Sequence, residues 1–175
     1  MLFRDFLDYA RAFHEAAQEA GSQAHTAARH ASASILFAWT AVEALINDMM
    51  ADFAALPEDT FSVHERGFLE ERAVEFVRSG DKLGQFVVTE RPDYRRLDDK
   101  IMFLLARFAK GTRLDKGSAL WQKFEQAKNR RNSIAHPRKT TTLDVTAADA
   151  ADAIEVAEEV IQVVAKGVWK KDLRV

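Results

Sequence analysis

Residues 118–139 read SALWQKFEQAKNRRNSIAHPRK, a pattern that predicts one amphipathic helix with a defined beginning and end. Ser118 is suited to cap the first turn, because a serine hydroxyl accepts a hydrogen bond from a free amide there. Pro137 marks the other end, because proline disfavours helical geometry in the residue before it. Arg131 lies on the face that we expect to turn toward the core, which is defined by four residues at helical spacing: Leu120, Phe124, Ala127 and Ile134.

The end of this helix carries three polar side chains whose chemistry suits a phosphate ligand. An unpaired guanidinium removed from water costs several kcal/mol, so Arg131 either pairs with an internal carboxylate or faces a cleft. Asn132 and His136 are four residues apart and share a neighbouring face if the last turn stays helical. A guanidinium binds phosphate, an amide both donates and accepts hydrogen bonds, and an imidazole moves protons near neutral pH. Three further cations are placed to hold a flanking phosphate backbone: Lys128, Arg138 and Lys139.

A purely structural interpretation of the same residues is also open. Arg131 would then pair with a buried glutamate and do nothing else, and His136 would cap free carbonyls at the end of the helix. By average composition, an arginine and a histidine at this spacing occur by chance in roughly one chain of this length in six. Requiring asparagine directly after the arginine makes the coincidence about a hundred-to-one. The asparagine therefore favours a functional interpretation.

The segment Arg131-Asn132-Ser133-Ile134-Ala135-His136 resembles the R-N-x-x-x-H motif of the HEPN superfamily. The apolar stretch WTAVEALIND, residues 39–48, is similar to the early core helix of many HEPN proteins. The resemblance implies an all-α, HEPN-like bundle of about five or six helices, forming a homodimer of single domains that each span residues 1–175. It also implies a metal-independent endoribonuclease acting in toxin–antitoxin, phage-defence or RNA-processing systems, with RNA as its substrate.

The resemblance assigns roles to individual residues. Arg131 and His136 correspond to the catalytic pair, and Asn132 to the residue that supports them. No metal or cofactor is implied, whereas an antitoxin or other regulatory protein is a possible partner. The chain departs from the family pattern at one position, since toxins modified by a partner nucleotidyltransferase carry a tyrosine two residues after the histidine. Here that position is Arg138, which argues against this mode of control.

A longer helix is predicted over about residues 26–56, ended by a proline. Residues 35–50 are apolar nearly all the way round, which is typical of a helix buried among several others. Glu43 and Asn47 interrupt this surface one turn apart. Because a buried carboxylate needs a partner, we expect Glu43 to contact Arg131 or to shape the cleft beside it, with Asn47 in support. The alternative is that Glu43 pairs with another base or faces water.

The remaining segments predict a largely helical chain. Periodicity and capping residues indicate further helices over residues 2–20, 62–78, 97–110 and 146–166. The Phe86–Thr89 run could pair as a strand, but it is short and alone, so residues 81–93 are predicted to form an ordered loop.

Composition agrees with a helical protein of the reducing cytoplasm. The 175 residues include only 7 glycines and 3 prolines, and no cysteine, which excludes disulfides and thiolate metal sites. No run of about eighteen apolar residues predicts a membrane span. The net charge is −2, but Lys110 to Lys139 holds nine basic and two acidic residues, a local charge of +7, so the rest carries −9. A basic patch of this kind can bind phosphate although the whole chain is acidic.

A motif with one imidazole offers one proton carrier where RNA cleavage uses an acid and a base, which favours a two-fold dimer with both motif helices near its axis. We expect the dimer contact to involve Trp121, Lys128, Asn132 and His136. The competing interpretation is a non-catalytic helical dimer that binds a protein or nucleotide partner in the same groove. A metal enzyme is a distant third possibility, because Glu43 and His136 supply too few ligands.

Overall fold

The computed structural model describes residues 1–111, 114–137 and 144–173. Within these ranges the chain is mostly helical, with six α-helices and a small two-stranded sheet. In chain order the elements are α1 Leu2–Glu19, α2 Ala24–Ala54, a short 3₁₀ turn Glu58–Thr60, α3 Val63–Leu69, β1 Arg72–Phe76, β2 Phe86–Pro92, α4 Leu97–Phe108, α5 Ala119–Ala135 and α6 Ala147–Val168. The predicted helical character is confirmed.

The chain divides into two compact units. The first consists of Met1–Leu45 and Leu104–Val175, and the second of Ile46–Phe103. The prediction of one domain over the whole chain stays a prediction, and each unit is described below by itself.

The first unit contains five helical segments: α1, α2 as far as Leu45, the end of α4 from Leu104, α5 and α6. In α1, Phe3 and Ala10 have no exposed surface, and the hydroxyl of Ser34 in α2 donates to the Ala10 carbonyl oxygen over 2.7 Å. Helix α6 supplies the largest share of buried residues, among them Ala150, Ile154, Val160, Ile161 and Val164. Its start is fixed by the predicted cap, since the hydroxyl of Thr146 accepts from the Asp149 amide at 3.2 Å while the Asp149 carboxylate accepts from the Thr146 amide at 2.8 Å.

Helix α2 is the longest helix and is less buried than its composition predicts. Of its most apolar 18-residue window, 56% is buried, and its mean hydropathy of 1.2 makes it long and apolar enough to cross a membrane. The core helix of a soluble protein passes the same test, so this property is weak evidence for a membrane span. The structure is compatible with a soluble protein.

The second unit corrects the prediction for residues 62–93. Helix α3 starts at the predicted capping box, Ser62 with Glu65, but ends at Leu69 rather than Arg78. Glu71 has a φ of 52°, a left-handed conformation that a helix cannot continue through. The next residues form β1, which pairs antiparallel with β2. The predicted loop over residues 81–93 is therefore wrong for Phe86–Pro92, because this run has a partner strand that the sequence pattern had assigned to a helix.

Close packing of α3 on β1 depends on a glycine. A Cβ atom built on Gly67 would lie 2.4 Å from Cγ2 of Val74 and 3.0 Å from the carbonyl oxygen of Arg72. Real Cβ atoms essentially never approach another heavy atom within 3.0 Å, so any larger residue at this position must push α3 away from the strand.

Candidate functional site

Aromatic packing fixes the helix that carries the motif. The ring of Phe124 in α5 stacks on Trp39 in α2 with centroids 5.1 Å apart, and it also contacts the ring of Trp121, with centroids 5.4 Å apart. Trp121 is only 6% exposed. Our expectation that Trp121 lies on a face not needed for the core is therefore wrong, because the indole is buried, and its part in a dimer contact stays a prediction. The predicted cap is confirmed, since the Ser118 hydroxyl accepts from the Trp121 amide at 3.1 Å.

The guanidinium of Arg131 in α5 contacts the carboxylate of Glu43 in α2, as we expected. Its Nη2 donates to Oε1 of Glu43 over 3.1 Å, and its Nη1 donates to Oδ1 of the neighbouring Asn132 over 3.2 Å. The guanidinium carbon also lies 5.9 Å from the centre of the Trp39 ring, within cation–π distance. The Arg131 side chain remains 26% exposed. Part of this cation is thus oriented by protein groups and part faces solvent.

Glu43 is held by two donors at once. Its Oε1 accepts from the indole N–H of Trp39, one turn earlier in α2, at 2.9 Å, and from Arg131 at 3.1 Å. The Glu43 side chain is 34% exposed, so it is less buried than the sequence suggested. The arrangement aims one edge of the guanidinium at α2 and leaves the other donors of Arg131 without a protein partner in the described ranges.

His136 stands at the point where α5 ends. Its amide donates to the Asn132 carbonyl oxygen over 2.9 Å, the last hydrogen bond of the helix, but its own φ and ψ of −129° and 63° are no longer helical. Both His136 and Asn132 are exposed. The His136 imidazole makes no hydrogen bond with any described residue, so the alternative in which it caps carbonyls finds no support among these contacts.

Of the three cations expected to hold a phosphate backbone, Lys128 lies among the described residues. Lys128 is largely buried, with 14% of its side chain exposed, and its Nζ lies 2.5 Å from Oε1 of Glu125. It is thus less accessible than a backbone-binding lysine should be. Arg138 and Lys139 lie outside the described residues.

Asn47 belongs to a different arrangement, in the second unit. Its Oδ1 accepts from Nζ of Lys100 over 2.9 Å, and the same Nζ lies 2.9 Å from Oε2 of Glu71. The role of Asn47 as a supporting residue of the motif site stays a prediction. Sequence reasoning missed Lys100, although a lysine between Leu97 and Ile101 in an apolar stripe was an available signal.

A pocket of 210 Å³ lies on another face of α5, against α6. Two ion pairs border it, Arg130–Asp149 at 2.6 Å and Lys123–Glu155 at 2.8 Å. Sequence reasoning did not find this pocket, because the acidic residues of α6 were explained by the helix dipole alone.

The surroundings of the pocket rim shift the pKa values of Asp149 and Lys123. For Asp149, burial is the largest single effect and raises the pKa, but hydrogen bonds from Thr146 and the charge of Arg130 outweigh it, so the pKa is lowered. The hydrogen bond and charge of Glu155 raise the pKa of Lys123.

Among the described residues, no group of three or more His, Asp and Glu side chains could hold a metal ion. No protein-family profile, curated protein or solved structure matches this chain. The case for a function therefore rests on the chemistry of the residues themselves.

Proposed function

We propose that this protein is a HEPN-type endoribonuclease that cleaves RNA without a metal ion, in a toxin–antitoxin, phage-defence or RNA-processing role in the cytoplasm. The observation that carries the proposal is the end of α5, where three groups suited to phosphate chemistry are accessible within two helical turns. The Arg131 guanidinium is partly exposed, and the Asn132 amide and the His136 imidazole are exposed.

The proposed reaction uses a nucleophile that the substrate supplies. The ribose 2′-hydroxyl attacks the adjacent phosphorus, a bond forms between the 2′ oxygen and phosphorus, and the bond from phosphorus to the 5′ oxygen of the next nucleotide breaks. A base removes the proton of the 2′-hydroxyl and an acid donates a proton to the departing 5′ oxygen. The products end in a 2′,3′-cyclic phosphate and a 5′-hydroxyl. In this scheme His136 is one of the two proton carriers.

Arg131 would stabilise the negative charge that builds on the phosphoryl oxygens, an electrostatic effect often worth several kcal/mol. The contacts with Glu43 and Asn132 support this role, because they fix the plane of the guanidinium before a substrate arrives. A guanidinium has five N–H donors, so two such contacts leave donors for a phosphate. Asn132 would orient the phosphate or the imidazole.

A homodimer would complete the site. One copy of the motif contributes one imidazole, whereas the reaction uses an acid and a base, and a two-fold axis beside α5 would bring a second His136 to the same phosphate. The exposure of Asn132 and His136 supports this face as the contact. An antitoxin or other regulatory protein binding here would block the site.

The second candidate is a non-catalytic dimeric scaffold that binds a protein or nucleotide partner in the same groove. The ion pair between Arg131 and Glu43 favours it, since a carboxylate 3.1 Å from the guanidinium neutralises part of the charge that catalysis would use.

The test is incubation of single-stranded and structured RNA with the protein in excess chelator, with analysis of the product ends. We expect 2′,3′-cyclic phosphate products from wild type. His136→Ala should abolish cleavage while RNA binding persists, because the substitution removes the proton carrier and leaves the cation. Asn132→Ala should have a milder effect. His25→Ala is the matched control, because His25 is an exposed histidine at the start of α2 and should keep full activity.

Cleavage that survives in His136→Ala would contradict the mechanism, even if the protein is a nuclease. Absence of cleavage by wild type, together with capture of a protein or nucleotide through the α5 surface, would favour the scaffold.

A further inference from the structure

The pocket between α5 and α6 has an apolar floor large enough for a small organic molecule. Ile35, Ala127, Ala153 and Val156 form the floor, and the volume is 210 Å³. An apolar cavity of about 150 Å³ is sufficient to hold a benzene ring in a protein interior. The space therefore fits a ring or a short branched chain with one polar substituent at the opening.

The rim of the pocket carries charges of both signs, but they do not cancel. Arg130 is paired with Asp149, and Lys123 with Glu155. Gln126 is neutral, and Asp152 is exposed and has no hydrogen-bond or ion-pair partner among the described residues. Two cations and three carboxylates line the rim, which leaves one negative charge. Asp152 is the carboxylate outside the two ion pairs, and its charge acts with that of Glu155 in raising the pKa of Lys123.

We propose that this pocket binds a small organic ammonium ion, with its apolar body on the floor and its ammonium group paired with Asp152. A ligand anion would have to displace Asp149 from Arg130 or Glu155 from Lys123 before it met an unpaired cation. An ammonium ion breaks neither pair. This inference does not rest on the proposed ribonuclease activity.

Beneath the floor of the pocket lies Trp39, whose indole N–H gives a resolved NMR resonance. A gap of 10 Å³ is lined by the same four floor residues and by four more: Trp39, Val42, Phe124 and Ala157. A ligand on the floor thus lies one side-chain layer from Trp39, whose indole N–H donates to Glu43. The indole N–H resonance of Trp39 in a ¹H–¹⁵N spectrum should shift when the pocket is filled.

The experiment compares three probes that share a ring and differ in charge: benzylammonium, benzyl alcohol and benzoate. Titrations of the full chain are followed by calorimetry and by the Trp39 indole resonance, identified by its loss in Trp39→Phe. We expect benzylammonium to bind about fivefold more tightly than benzyl alcohol, the effect of a partly exposed charge pair. Benzoate should bind most weakly.

Two pairs of variants test separately the charge at the pocket rim and the volume of the pocket floor. Asp152→Asn should abolish the preference for benzylammonium, whereas Glu19→Gln, at an exposed carboxylate of α1 that does not line the pocket, should keep it. Ala153→Leu should block all three probes by filling the floor, whereas Ala151→Leu, at an exposed position, should not.

The proposal is overturned if the three probes bind equally, if none binds to wild type at millimolar concentration, or if Asp152→Asn keeps the ammonium preference. Tightest binding by benzoate would also overturn it, because the ion pairs would then have opened for an anion. If Ala153→Leu does not fold, the Asp152→Asn comparison still decides the matter.

Discussion

Lys100 in the second unit and Arg131 in the first each meet a carboxylate from another element, but the surroundings of the two cations differ. The Lys100 side chain is 8% exposed, and its ammonium group is held by Asn47 and Glu71 at 2.9 Å each. The Arg131 side chain is 26% exposed and meets Glu43 at 3.1 Å. Lys100 is enclosed by protein partners, whereas Arg131 is positioned by them and still faces solvent.

This difference teaches where to look for function among paired charges. A cation whose side chain is buried against its partners serves the fold, because removing it takes a donor from a carboxylate that water reaches only in part. A cation that is fixed on one edge and open on the other can bind a ligand at a small cost in ordering. The contrast makes quantitative predictions about substitutions at each place.

The largest expected effect is on RNA cleavage by Arg131→Ala. Cleavage should fall about a thousandfold, equivalent to roughly 4 kcal/mol, if the guanidinium stabilises the phosphoryl oxygens. The free energy of unfolding should fall by only about 1 kcal/mol, because water can reach the exposed part of Glu43. Cleavage rates and denaturant unfolding measure the two effects, and Arg131→Lys should also cleave poorly, since lysine lacks the planar fork. Full activity in Arg131→Ala would contradict the assignment.

The reverse pattern is expected for Lys100→Ala. The free energy of unfolding should fall by about 2 kcal/mol, because the half-buried Glu71 and the exposed Asn47 lose their shared donor and the buried stem of Lys100 loses its packing. Cleavage by the protein that remains folded should be unchanged. Lys82→Ala, at an exposed position of the same unit, is the control and should alter neither quantity. Equal losses of stability in the two lysine variants would remove the distinction between the two cations.

A smaller effect should follow from Trp39→Phe, which keeps an aromatic ring against Phe124 but removes the indole N–H. Glu43 then loses one of the two donors to its Oε1, a hydrogen bond worth about 1 to 1.5 kcal/mol. Cleavage should fall about tenfold, because the carboxylate no longer orients Arg131. Steady-state kinetics should show a lower kcat for cleavage and an unchanged KM for RNA. A variant that loses affinity alone would point to a direct RNA contact by the indole.

The smallest expected effect concerns a third paired carboxylate, Asp149 at the start of α6. Because its pKa is lowered in the folded state, its contribution is present above the unfolded-state pKa of about 3.9 and is lost as pH falls through the folded-state pKa. Asp149→Asn should reduce the free energy of unfolding by about 1 kcal/mol near pH 7, and the difference from wild type should vanish in strong acid. Urea unfolding of the two proteins at several pH values measures this difference.

The parts of the molecule that sequence reasoning described well are those whose signals are local. Ser118 and Thr146 were identified as caps because the capping hydrogen bond spans only a few residues. The contact of Glu43 with Arg131 was predicted from a longer argument, that a carboxylate in an apolar helix needs a cation.

The failures involve information that no short window of sequence contains. The β1–β2 hairpin was missed because the Ser79-Gly80 pair between its strands fits the end of a helix as well as a turn. It was missed also because Glu71 adopts a left-handed conformation that glutamate rarely prefers. Trp121 was placed on a free face because periodicity does not say how far around a helix the core extends. The pocket on α5 depends on how two helices approach each other, which their separate patterns leave open.

The contact beneath Gly67 constrains how this sequence can diverge. Since a Cβ atom at position 67 would overlap Val74 and approach the Arg72 carbonyl, substitutions at 67 and 74 are not independent. Related chains that keep this hairpin should retain glycine at the position of Gly67, or carry a smaller residue at that of Val74 together with a shifted strand. Covariation of this pair, found in otherwise dissimilar sequences, would trace the descent of the second unit separately from that of the motif helix.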